Sequence, residues 1–401
     1  MLKKRISNVL NYPLKGSQIY FLSFIIYFLP TFLNNTIFAE SLGDHWLRIF
    51  SYFSIPLLLF KIYVLDKWNT KQLLLITGIL LLGLITWRLA HEVQLLFIAP
   101  FVIGSKNVSF RDIVSWFLYL GITLMLSIAV FALLGIIPNL IFYAPPRPPR
   151  YSLGMDYPSF IATHFLYFAL AYCYLRFGKL KWFDYLLIII GDAICMKLTN
   201  TRLDFLATLV LIPVMIIAQR AYHGYKWSRI FASFWWMAVP LSATITIFGS
   251  YFFAPTNHIM QKVNSLSSGR LQLGQKAFEK YNVNLLGRSI TEHTYGGSKG
   301  LKFANDMSSM NFHYFYLDSS YMRMFLLWGA IVFVLIIVAL TYLAIRSTIQ
   351  QTFVISAIIL VASLNFMFEP YVIAIFYNPI LLALVAKPYY WKIQEEKANE
   401  R

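Results

Sequence analysis

Arg147, Arg150, Arg202, Arg270, Arg288 and Arg323 are the residues whose type and setting best suit chemistry. They stand between long apolar runs or just inside one, where an ionisable side chain is costly and marks a functional site by default. A guanidinium stays charged, and its planar fork matches phosphate oxygens in a bidentate way. Lysine dominates several of the other connecting segments. Close to the last of these arginines lie His313 and Asp318, either of which could take a proton from a hydroxyl. Local roles compete with each reading. Asp318 or Ser319 could cap the helix that follows, Arg202 could pair with Asp204, and Arg147 could belong to a rigid connector. Arg270 is the most telling. It falls in the first turn of a helix predicted to start from Ser268, where free backbone N–H groups favour an anion and not a cation. That mismatch points to a ligand.

The elements that must position these groups are membrane spans. The chain has 401 residues, 59% hydrophobic, 18% aromatic and only 13% charged, with a mean hydropathy of +0.62. These values predict an all-α polytopic integral membrane protein. Apolar runs near 18–38, 46–65, 72–87, 91–105, 113–137, 157–175, 183–198, 203–218, 230–253, 319–343, 352–368 and 371–387 predict about twelve transmembrane helices. The organisation is then residues 1–254 with spans one to nine, a long polar segment over 255–318, spans ten to twelve over 319–387, and a tail over 388–401. No cleaved leader is read at the N-terminus, where the first apolar run is taken as a retained span.

The net charge of +17 comes from cations spread singly among apolar segments, with no compact basic surface for nucleic acid. With the N-terminus in the cytoplasm, 20 of the 34 Lys and Arg fall on inner segments and only six on short outer connections. The positive-inside bias therefore predicts that both termini are cytoplasmic and that the long segment and its arginines are extracytoplasmic. Cys173 and Cys195 sit in apolar runs and read as small hydrophobes, and Asp192 with Lys197 reads as a structural pair. The histidines are scattered, and no phosphate-binding glycine loop or His-Glu-x-x-His pattern occurs, so neither metal nor nucleotide cofactor is expected. Within the long segment, residues 267–281 read as a short amphipathic helix. Residues 295–300, with three glycines, read as a flexible loop, and the proline-rich connection 138–157 as stiff and extended.

Four short stretches, in this order, resemble the Wzy-type polysaccharide repeat-unit polymerases and their O-antigen ligase relatives. They are Arg150-Tyr-Ser-Leu-Gly-Met-Asp-Tyr-Pro158, Thr199-Asn-Thr-Arg202, Ser268-Gly-Arg270 with Asn284-Leu-Leu-Gly287, and Asp318-Ser-Ser-Tyr321 with Gly329. Asp156-Tyr-Pro-Ser159 stands where many relatives have His-Pro-Asn, and a single His313 stands where the ligases have a pair. The resemblance implies a glycosyltransferase architecture of the C type with short helices in its external loop, in the plasma membrane of a bacterium. It implies polymerisation of capsular, exopolysaccharide or O-antigen repeat units carried on undecaprenyl pyrophosphate, inverting and without metal. Arg150, Arg202 and Arg270 would then bind the pyrophosphate, and Asp318 or His313 would activate the acceptor hydroxyl. Arg147, Arg288, Arg323, Tyr321 and Asp156 would support them. Membrane lipid, a flippase and a chain-length regulator would be partners. A glycan ligase shares the donor chemistry. A flippase for lipid-linked oligosaccharide is the alternative outside the enzymes, but it would be expected to show repeated halves and deeper cations.

Overall fold

A computed structural model describes residues 15–143, 147–294, 296–305 and 314–389, with backbone only for 303–305. His313 and the predicted tail from residue 390 lie outside the described residues. The protein is an all-α polytopic membrane protein. Helices are the form such runs must take, because a chain in lipid has only its own backbone to hydrogen-bond.

In order, the helices are α1 (Gly16–Leu33), α2 (Phe38–Leu42), α3 (Asp44–Tyr52), α4 (Ser54–Phe60) and α5 (Thr70–Ala90). There follow α6 (Gln94–Gly104), α7 (Phe110–Leu133), α8 (Pro158–Leu175), α9 (Trp182–Thr199), α10 (Arg202–Tyr222), α11 (Lys226–Ser233) and α12 (Ala238–Tyr251). The last are α13 (His258–Leu266), α14 (Arg270–Lys280), α15 (Gly297–Asn305), α16 (Ser320–Met322), α17 (Ala330–Ile349) and α18 (Val354–Asn365). Among the described residues, eight segments are long and apolar enough to cross a membrane. These are α1, α3–α4 with the π-helical turn Lys61–Leu65, α5, α7, α8, α10, α11–α12 and α17. Helices α6 and α18 are shorter, and α9 carries Asp184, Asp192 and Lys197. The run 371–387 forms no long helix, only the 3-10 turn Ile380–Leu384 inside a buried irregular segment.

Local chemistry sets the ends. Asn69 and Gln72 satisfy each other's backbone N–H at the start of α5, and left-handed His91 and Asn200 stop α5 and α9. Helix α8 is the most enclosed of the eight candidate spans: 72% of it is buried, against 17% for α5, whose leucines face outward. Polar groups tie α8 to α10 and α18. Asp204, fully buried, accepts from Thr163 (3.1 Å) and from the Asn365 amide (2.8 Å), and Asn365 accepts from Tyr167 (3.0 Å). A buried carboxylate without such donors would be strongly unfavourable.

Several expectations are corrected. Asp192 and Lys197 form no pair: Asp192 is buried with one oxygen unpartnered, and Lys197 is exposed. Ser268 does not cap α14. It and Gly269 both have positive φ, reversing the chain sharply between α13 and α14, and Gly269 takes the capping position. Residues 297–305 are helical, as α15, and not a loose loop. The Gly297 N–H donates to the Asp156 carbonyl (2.9 Å), and the Ser298 N–H and hydroxyl donate to the Glu40 carboxylate (2.8 Å each). A carboxylate at a helix N-terminus meets its free N–H groups and the favourable end of its dipole.

The run 319–343 is broken as well. After α16 comes a π-helical turn, Arg323–Trp328, and then Gly329 at φ 94° before α17 begins. The break is braced by Asn284–Arg288. Arg288 N–H donates to Leu327 O (2.9 Å), Ala330 N–H to Asn284 O (2.8 Å) and Ile331 N–H to Leu285 O (3.2 Å). The Asn284 amide donates to Leu326 O (3.2 Å). Asn284-Leu-Leu-Gly287 and Gly329 thus meet backbone to backbone.

Candidate active site

Seven separate stretches of the chain converge on one cavity of about 1090 Å³. Its lining includes Arg147, Arg150, Arg202 and Arg270, together with Asp156, Asp318 and Glu369. Each arginine is set by a different local device. Arg150 lies in β2 (Arg150–Tyr151), which pairs antiparallel with β1 (Ile141–Phe142); the connection is extended there but turns at Leu153 and Gly154, both at positive φ. Arg150 Nε donates to Thr199 O (2.7 Å) and its Nη1 to the Tyr157 hydroxyl (3.1 Å), while the guanidinium sits 5.1 Å from the Tyr157 ring. The arginine is buried and its hydrogen-bond partners are neutral; it makes no ion pair among the described residues, although its charge acts on the buried carboxyls of Asp204 and Glu369 from a longer range.

Arg202 opens α10 and is exposed to the cavity. It does not pair with Asp204, whose carboxylate points inward to Thr163 and Asn365. Arg147 is likewise exposed, and neither has a carboxylate partner among the described residues. Arg270 opens α14. Its Nε donates to Phe368 O (2.8 Å), its Nη1 to Ser267 O (3.2 Å) and its Nη2 to Glu369 Oε1 (3.3 Å), with Asp318 Oδ2 at 3.8 Å. Burial works against this charge, but the carboxylates of Asp318 and Glu369 outweigh it and hold the pKa above the ordinary arginine value. Three of the four arginines therefore face the cavity without an ion pair among the described residues.

Asp318 does not cap a helix. Ser319 holds that position, and its hydroxyl donates to Phe366 O (3.2 Å). Burial raises the Asp318 pKa, and the guanidinium groups of Arg270 and Arg323 pull it partly back. The Tyr314 hydroxyl lies 3.4 Å from Asp318 Oδ2. Residue positions are held from behind. Glu292 accepts the Leu317 N–H (2.8 Å), and Arg323 donates to Leu317 O (3.3 Å) while bridging Glu292 and Glu92 (2.9 Å each). Arg323 thus acts on the backbone next to Asp318 and lies outside the large cavity. Arg288 and Tyr321 are outside it too. Arg288 belongs to the brace beneath Trp328, and Tyr321 is fully buried with its hydroxyl on Ser363 O (3.1 Å).

Glu369 is a cavity carboxyl that sequence reasoning missed, as are Glu40 and Asp44. Glu369 is 5% exposed, and burial raises its pKa well above the ordinary value, with Asp204 adding to the effect. The signal was a carboxylate followed by proline between two apolar runs, Phe366-Met-Phe-Glu-Pro370, a place where an ionisable group needs a reason. Among the described residues, no three His, Cys, Asp or Glu side chains are grouped to hold a metal ion.

Asp156 lies at the rim beside α15. Burial, and then Glu40, push its pKa up to about 7. A carboxyl raised in the folded state adds stability that is complete below its ordinary pKa of 3.8 and is lost as pH rises to about 7. Amide exchange in 297–302 is therefore expected to speed up between about pH 4 and 7 beyond its intrinsic pH dependence. Asp156→Asn should remove that extra slope, and an unchanged slope would rule Asp156 out as its source. With this geometry in hand, no protein-family model, no curated protein and no solved structure matches the chain.

Proposed function

We propose that the protein is a Wzy-type membrane polymerase that joins repeat units carried on undecaprenyl pyrophosphate at the outer face of a bacterial plasma membrane. The observation that carries this reading is the set of arginines in one cavity, three of them without an ion pair among the described residues, beside the half-buried carboxyl of Asp318. A diphosphate leaving group gathers negative charge as its bond to the sugar breaks, and fixed guanidinium groups in a partly dry site stabilise that charge. The positive-inside bias supports an extracytoplasmic cavity and cytoplasmic termini, within a C-type glycosyltransferase arrangement of the spans.

In the reaction the acceptor hydroxyl attacks the anomeric carbon of the donor sugar. A new glycosidic C–O bond forms on one face while the sugar–phosphate C–O bond breaks on the other, which inverts the centre. The bonding electrons leave with the diphosphate, and the hydroxyl proton passes to Asp318. Arg202 and Arg147 are free to close on the diphosphate, whereas Arg150 and Arg270 are already aimed by carbonyl groups. A diphosphate on Arg270 would also weaken its hold on Asp318 and make that carboxylate a better base.

Arg202→Ala is expected to stop chain growth and to leave lipid carrying one repeat unit on the outer leaflet. Retention of that lipid in the inner leaflet would favour a transporter instead. For Asp318, activity should fall on the acid side with an inflection above the ordinary carboxylate value of about 3.9. Asp318→Asn should lower the rate by about 10²–10⁴-fold and abolish that limb. Normal polymer length in the variant would remove Asp318 from the role of base.

A further inference from the structure

Helix α13 has two faces of opposite character, and the protein uses only one of them. Gln261, Asn264 and Ser265 recur at i, i+3 and i+4, so they share a face. They line a pocket of about 420 Å³ together with Arg147 and Ser268, both of which also line the large cavity. Ile259, Val263 and Leu266 recur at i, i+4 and i+7 on the opposite face and are 76%, 46% and 69% exposed. The helix cannot roll to hide them. The Asn257 side chain caps it by accepting from the N–H groups of Ile259 (3.0 Å) and Met260 (3.2 Å), and the Gln261 amide donates to Pro255 O. Asn264 accepts twice at the far end, with Oδ1 from the Gln272 N–H (3.1 Å) and with its carbonyl from the Gly269 N–H (2.8 Å).

What covers the apolar face is set by what adjoins it. Leu241, Ile245 and Phe248 of α12, with Phe252 just past its end, are exposed on a segment long and apolar enough to cross the membrane, so they face lipid. The Asn257 N–H donates to Ala254 O (3.0 Å), a tight turn that starts α13 beside the end of that span. Nine residues rise only about 14 Å at 1.5 Å each, so α13 cannot cross a core of roughly 30 Å itself. A short helix with an apolar stripe at the edge of a bilayer lies in the interface. Lys262, exposed and flanking the stripe, suits this place, because its stem can lie on apolar surface while its ammonium group meets lipid phosphate.

From this we infer that α13 is a membrane-surface helix, with Ile259, Val263 and Leu266 sunk into the lipid interface. It holds the pocket at Arg147 at the level of the headgroups. A lipid-borne diphosphate resides at that level, so the use made of the helix rests on the polymerase reading, whereas its seat on lipid does not.

The test uses the full-length protein in nanodiscs of phosphatidylethanolamine and phosphatidylglycerol, with no substrate present. Nitroxide labels are attached at Ile259→Cys, Val263→Cys, Leu266→Cys, Gln261→Cys and Ser265→Cys. Cys173 and Cys195 are buried, and the native chain taken through the same labelling gives the background. Collisions with oxygen, which concentrates in lipid, are compared with those of water-soluble nickel ethylenediamine diacetate. Labels at the three apolar positions are expected about 5–10 Å below the headgroup boundary, and those at Gln261 and Ser265 at or above it. Should one variant fold poorly, the remaining positions of each face decide the matter. Nickel reaching all five labels would put the helix in water and overturn the inference. Neither reagent reaching the apolar positions would overturn it too, because another protein chain would then cover that face. Because no substrate is involved, a chain that joined no glycans could still show the lipid seat. Labels in water would leave the chemistry of the arginine cavity untouched.

Discussion

Arg270→Ala is expected to abolish chain growth and to destabilise the protein at the same time. The guanidinium holds Phe368 O and Ser267 O and is the shared counter-charge of Glu369 and Asp318. Glu369 is 5% exposed, and removing one partner from a buried charge cluster costs about 3–5 kcal/mol. Thermal unfolding in detergent should show a drop of that order. Two further variants separate the effects. Arg270→Ala with Glu369→Gln should regain most of the lost stability, because the stranded carboxylate is gone, yet remain inactive. Arg270→Lys should keep part of both, since a point charge replaces the fork. Full activity in the alanine variant would remove Arg270 from the site.

Gly329→Ala is expected to be the most damaging substitution in the fold. A methyl group there would run into the Gly287 nitrogen and sit 2.5 Å from Leu285 O. Both obstacles are backbone and cannot swing away. The backbone also sits at φ 94°, where a side chain is strained. Strain and overpacking each contribute about 1–3 kcal/mol, so a loss of about 2–6 kcal/mol is expected. The brace carries Arg323–Trp328, hence the clamp on Leu317, so activity should fall with stability. Gly78→Ala is the control, because nothing lies within 4 Å of that position on α5 and alanine suits a helix better than glycine. Similar yields of folded protein from both variants would contradict the brace.

Much of the architecture was legible in the chain, because lipid leaves a long apolar run few options besides a helix. Eleven of the twelve apolar runs do contain helices. The exception, 371–387, is buried by the protein itself, so neighbouring side chains cover it and hydropathy alone could not distinguish it from a span. Arg147, Arg150, Arg202, Arg270, Asp156 and Asp318 were picked out singly and share one cavity, since each interrupts or borders an apolar run. Their separation from Arg323 was not legible. It arises because Glu92 and Glu292, far apart in the chain, both reach that guanidinium. Nor was the role of Gly287 and Gly329, because a close backbone crossing leaves no trace in composition or period. Ser268 failed as a cap for a related reason: the reversal into α14 needed positive φ at two successive positions, and Gly269 took the capping place.

The central claim is that this cavity joins lipid-linked glycans, and reconstitution tests it most directly. Purified protein in proteoliposomes would be given a synthetic undecaprenyl-pyrophosphate-linked repeat unit, with no nucleotide and with chelator present, and the lipid products sized by mass spectrometry. The account predicts a ladder of lipid-linked oligomers with released undecaprenyl pyrophosphate, both absent with Arg202→Ala. Unchanged single repeat units, or their movement across the bilayer without any new glycosidic bond, would contradict it.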